Sequence, residues 1–154
     1  MEDVVFFVFI FYAIYLWARG IGPALWRLGN GLAKRKIALF AKGDNLDSLM
    51  SLLTDSRLFK RSNIIDVRKK EDVGRAESAT LFLVFWPDWS NDIDKVLEKM
   101  SDECALVVYA PGDKGRIPDK EMAKLDIRRH TAVTNLRGRL LSDIVASIIT
   151  TSYE

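Results

Sequence analysis

The apolar positions of this chain follow two different patterns. Residues 4–17 read VVFFVFIFYAIYLW, an unbroken apolar run without a charge or a helix breaker. From residue 36 onward, short apolar stretches alternate with segments whose apolar positions recur at helical spacing. The first pattern predicts a helix that needs lipid or a deep core around it. The second predicts strands and helices in regular alternation.

Strands are predicted over residues 36–41 (KIALFA), 63–67 (NIIDV), 80–86 (TLFLVFW), 105–110 (ALVVYA) and 131–135 (TAVTN). Helices are predicted over residues 45–59, 91–100, 119–126 and 137–150, the first capped by Asp44 or Asn45. Leu46, Leu49, Met50, Leu52 and Leu53 mark the inner face of the first helix, and Leu140, Leu141, Ile144, Val145 and Ile148 that of the last. Residues 69–78 (KKEDVGRAES) carry only weak helical character. The third strand is apolar at successive positions, as a strand covered on both faces of a parallel sheet must be. The expected fold class is α/β: an open, flavodoxin-like five-stranded parallel sheet in the order 2-1-3-4-5, preceded by one N-terminal transmembrane helix.

A spanning helix needs about 20 apolar residues. Residues 4–17 reach that length only by continuing past Arg19, Gly20, Gly22 and Pro23 to Trp26. Arg19 can snorkel toward a headgroup region, while the glycines and proline loosen the helix. Phe6, Phe7, Phe9 and Phe11 are then the lipid-facing side chains, and Tyr12, Tyr15, Trp17 and Trp26 an interfacial belt. Glu2 and Asp3 precede the run; Arg19, Arg27, Lys34, Arg35 and Lys36 follow it. This asymmetry predicts a single-pass protein of the inner membrane, N-terminus outside and C-terminal domain in the cytoplasm. The acidic start argues against a cleaved signal peptide, whose first segment is positive. The expected organisation is residues 1–27 as transmembrane helix, 28–35 as basic linker and 36–154 as cytoplasmic domain. A buried or amphipathic helix remains the alternative for the first segment.

Charge narrows the partners. The chain carries a net +2, and five basic against two acidic residues lie within the first 36, which leaves the remainder at −1. A near-neutral domain speaks against nucleic acid as a partner. Cys104 is the one cysteine, so no internal disulfide can form, which suits a reducing compartment. His130 is the one histidine, so neither a two-histidine metal site nor a Ser-His-Asp triad can be assembled, and no GxGxxG or GxxxxGK[ST] segment is present.

In doubly wound sheets, ligands sit beyond the carboxyl ends of the strands. Four loops converge there. They carry Lys42, Asp44 and Asn45 after the first strand, Asp88 and Trp89 after the third, Lys114 and Arg116 after the fourth, and Asn135, Arg137 and Arg139 after the fifth. Five of these residues are cations, Trp89 offers a ring for stacking, and helix N-termini favour anions. A nucleotide or cyclic nucleotide is the expected ligand, with no metal and no certain cofactor. Solvated loop charges balanced by Asp44, Asp88 and Asp113 are the plainer reading. Arg137 and Arg139 open a helix, where a cation is unfavourable unless an anion or a carboxylate joins it.

KIALFA as first strand, KKEDVGRAES as the loop after the second and TLFLVFWPDW as central strand resemble a TIR-like domain over roughly residues 36–152. NAD-cleaving members carry a Trp-Cys-x-x-Glu-like segment after the central strand. Trp89 matches its start, whereas the glutamate position falls on Ile93, flanked by Asp92 and Asp94, with Glu98 a turn on. Receiver domains share the strand order, but FAKGD, YAP and TNLRG lack their acidic pair, hydroxyl and lysine. A short anchor joined to a TIR-like or Rossmann-like domain also resembles single-span membrane effectors of bacterial antiviral defence. That resemblance implies a signalling effector that binds a nucleotide or self-associates as a homo-oligomer, clustering its helices to perturb the membrane. The alternatives are a membrane-anchored NAD-consuming enzyme and a passive adaptor that recruits a partner protein through residues 137–153.

Overall fold

The computed structural model describes residues 2–151. Residues 152–154, assigned above to the cytoplasmic domain, lie outside the described residues, as do the side chains of Glu2, Asp3, Trp26 and Arg27 from the charge and belt reading. The chain divides into two compact units, residues 1–31 and 32–154.

The first unit is built on one helix, α1 (Glu2–Lys34), 33 residues long. It runs through Gly20, Gly22 and Pro23, although the proline removes a backbone donor. Helix therefore continues through most of the segment expected to be linker. Val5, Phe6, Phe7, Phe9, Phe11 and Trp17 are all exposed. At 33 residues the helix is roughly 50 Å long. Even so, among the described residues no helix is both long and apolar enough to cross a membrane, so the expected spanning segment is not established.

In the second unit, β1 (Ile37–Phe40), β2 (Ile64–Val67), β3 (Leu81–Phe85), β4 (Ala105–Tyr109) and β5 (Thr131–Thr134) form one parallel sheet in the expected order β2-β1-β3-β4-β5. The register pairs Ile37 with both Ile64 and Leu81, then Leu81 with Ala105, and Leu106 with Thr131. Every residue of β1, β3 and β4 is buried, because these strands are covered on both faces. The helices follow as α2 (Gly43–Asp55), α3 (Trp86–Trp89), α4 (Ile93–Glu98), α5 (Asp119–Asp126) and α6 (Arg137–Thr151). Leu46, Leu49 and Leu53 of α2 and Leu140, Ile144 and Ile148 of α6 share one core with Leu39 and Leu83. On the opposite face, Ile93 and Val96 of α4 and Leu125 of α5 pack with Phe40, Phe82 and Leu106.

Two local expectations are corrected. The helix expected over residues 91–100 is shortened to α4, and an unexpected short helix α3 and a 3-10 turn over Ser90–Asp92 precede it. α3 begins at Trp86 directly after β3, with Pro87 in its first turn, and Trp89 leaves helical geometry at φ −124° and ψ 4°. Its ring turns into the core, edge-on to Phe40 at 5.2 Å. Likewise, α2 begins at Gly43, earlier than expected, with Lys42 at the N-cap position and no capping bond from its own side chain. Residues 70–78 are a 3-10 segment that buries Val73 and Ala76.

Candidate functional site

The order β2-β1-β3-β4-β5 places the topological switch between β1 and β3. The protein itself spans that crevice. One carboxylate oxygen of Asp88 accepts the backbone N–H of Lys42 at 2.8 Å, and Asn45 Nδ2 donates to both Asp88 oxygens at 3.3 Å. Asp88 thus brings a negative charge to the positive end of α2, where an external anion was expected. Lys42 Nζ lies 5.3 Å from the centre of the Trp89 ring, within cation–π range. Trp89 is fully buried, and its indole N–H has no acceptor. The stacking platform expected of Trp89 is instead a core residue, because Phe40 and Lys42 cover it. Asn45 is committed to Asp88, and Asp44 stays exposed beside it.

The other half of the edge is open. After β4 the chain turns at Gly112 (φ +46°) into a 3-10 turn over Gly112–Gly115. A Cβ on Gly115 would stand 2.3 Å from the Ala110 carbonyl carbon, so only glycine allows the loop to fold back onto the strand end. Gly115 and Ile117 are buried while Lys114 and Arg116 point out, and neither cation forms an ion pair among the described residues. Two cavities flank Arg116. The larger, about 740 Å³, is walled by Ile117, Met122, Val133 and Asn135. The smaller, about 330 Å³, is walled by Trp86, Asn91, Lys114 and Glu121.

Arg137 and Arg139 line neither cavity. Arg137 Nη2 donates to the Ser48 carbonyl at 3.0 Å and ties α6 to α2, which share a face of the sheet. Arg139 is exposed on α6. The structure therefore gathers the expected residues into two groups, Lys42, Asn45 and Trp89 around Asp88, and Lys114 with Arg116. Sequence reading missed Glu121 and Met122 as wall residues. Their signal was position, since the first turn of α5 directly follows the basic loop.

The carboxylates considered for NAD cleavage do not converge. Asp92 is buried and paired with Lys70 Nζ at 2.7 Å, Asp94 is paired with Lys124 at 2.7 Å, and Glu98 is exposed. Ile93, at the glutamate position, is in the core. Among the described residues no group of histidine, cysteine and carboxylate side chains is placed to hold a metal. Cys104 lies at the opposite edge, where burial pushes its thiol up to about 12. His130 sits at that edge too, with a positive φ, and its carbonyl accepts the Leu106 N–H at 2.9 Å. No protein-family model, no curated protein and no solved structure matches the chain.

Proposed function

We propose that this protein is a membrane-tethered effector or signalling subunit. In this reading α1 is seated in lipid, and the α/β domain it carries binds a phosphate-bearing small molecule or associates with other copies of itself. Binding or association draws the α1 helices together and perturbs the bilayer. A single helix cannot line a pore, so the effect requires oligomers.

The supporting observation is the apolar surface of α1. Its large side chains from residue 5 to residue 17 are between 39% and 70% exposed, on all sides of the helix. Burying each one is worth about 1.5–3 kcal/mol, so leaving them in water opposes any stable dispersed state. Arg19, the first charge after the run, donates to Tyr15 Oη at 2.7 Å, and this bond reduces the penalty of placing it near lipid. The basic residues that follow favour an orientation with the α/β domain in the cytoplasm.

Flotation with anionic vesicles, made without detergent, tests the reading. The full chain is expected to rise with the vesicles, and Phe9→Asp with Phe11→Asp to remain at the bottom. In cells, toxicity is expected to vanish when residues 4–26 are deleted. A full-length chain that stays dispersed and monomeric without lipid would refute the proposal.

A further inference from the structure

The two cavities at the end of β4 meet at Arg116, and their walls differ in chemistry. The larger has apolar sides from Ile117, Met122 and Val133 and one amide, Asn135. The smaller sets Lys114 and Arg116 in the same wall as the carboxylate of Glu121. We propose that this split cavity binds a ribonucleotide, with its phosphates on Lys114 and Arg116, its ribose hydroxyls on Glu121 and its base in the larger chamber. The assignment rests on the small-molecule reading above and names the ligand class for it.

Glu121 decides between ligand types. A site for a bare anion gains nothing from a carboxylate in its wall, because like charge repels the ligand. Glu121 forms no ion pair with either cation among the described residues, although its charge helps raise the Lys124 ammonium, so its oxygens can accept from a ligand's hydroxyls. A sugar diol supplies two hydroxyl donors, and a phosphate attached to it reaches the neighbouring cations. Asn135 can both donate to and accept from a base edge, and the apolar walls suit the base faces. The larger chamber, about 740 Å³, falls within the range of small-molecule sites. Gly112 and Gly115 line it without side chains, so a ligand can approach the main chain there.

The loop is built to hold this geometry. Gly115 presses on Ala110, Ile117 is buried two residues on, and the alternation turns Arg116 outward between them. Lys42, by contrast, is committed to the protein itself, through its backbone N–H to Asp88 and its ammonium over the Trp89 ring.

The test is equilibrium binding to the full chain in detergent, with ribonucleoside diphosphates, their 2′-deoxy forms and inorganic pyrophosphate as probes. A ribonucleoside diphosphate is expected to bind about tenfold more tightly than its deoxy form or pyrophosphate. Arg116→Ala and Lys114→Ala are each expected to weaken it about tenfold at unchanged melting temperature. Glu121→Gln is expected to remove most of the ribose preference, and Arg129→Ala at the opposite edge to change nothing. Pyrophosphate binding as tightly as any nucleotide would overturn the ribose assignment. Nucleotide binding indifferent to Arg116 and Glu121 would place the ligand elsewhere and overturn the site while leaving the small-molecule reading intact. No binding by any probe would overturn both. Flotation reports on the membrane reading independently of these results.

Discussion

Single residues decide how the open edge is shaped. Gly115 lies so close to the end of β4 that an added methyl group would overlap backbone atoms of Ala110, which cannot rotate aside. Gly115→Ala is therefore expected to destabilise the domain by about 1–3 kcal/mol, lowering the melting temperature by several degrees, and to displace Lys114 and Arg116. Gly74→Ala, where a Cβ meets nothing within 4 Å, is the matched control in a thermal melt. Cys104 tests burial at the opposite edge. Its thiol titrates near 12 in the folded state against an ordinary value of 9.0, so the native state holds its proton longer than the unfolded one. That contribution to stability is complete below pH 9 and is lost as pH rises toward 12. The thiol is expected to resist a disulfide reagent at pH 8 until denaturant is added. Cys104→Ala should flatten the fall in stability above pH 9, read from urea midpoints between pH 8 and 11. Rapid labelling of the native chain would contradict the buried placement.

Elements are held in place by bonds that sequence patterns do not announce. The loop after β1 and the first turn after β3 are joined by Asp88, which accepts from Lys42 and Asn45, residues more than forty positions away. Asp88→Ala is expected to cost about 1 kcal/mol, and Asp88→Asn less, because the amide oxygen still accepts one bond. A thermal melt of both variants checks the order. Strands and the long helices were legible because burial enforces a period: β1, β3 and β4 are covered on both faces and read as unbroken apolar runs, while α6 shows Leu140, Ile144 and Ile148 at helical spacing. The short helix α3 and the turn that separates it from α4 were not legible. The apolar spacing of Ile93, Val96 and Leu97 fits one helix, and only the contact of Trp89 with Phe40 reveals why the chain departs from it. The basic edge was half legible for the same reason. Charge along the chain identified Lys114 and Arg116, but it could not show that Arg137 reaches Ser48 or that an internal carboxylate fills the positive end of α2.

At the scale of the whole molecule, the folded cores and the proposed membrane contact draw on different parts of the chain. Among the described residues, the buried residues of one core of the α/β unit run from Ala38 to Leu125, and those of the other from Ile37 to Ile148. The large exposed apolar side chains of α1, in contrast, have no buried counterpart within residues 1–31 among those described. A fragment of residues 32–154 is therefore expected to fold unaided, to melt cooperatively within a few degrees of the full chain, and to need no detergent. On the proposed membrane reading it should fail to float with vesicles, because the exposed apolar side chains of α1 have been removed. The comparison requires circular dichroism with temperature, size exclusion and flotation on the same preparations. A fragment that folds but still floats would move the membrane contact onto the α/β unit. One that does not fold would mean that α1 contributes to the core after all, and the separation of anchor from domain would have to be abandoned.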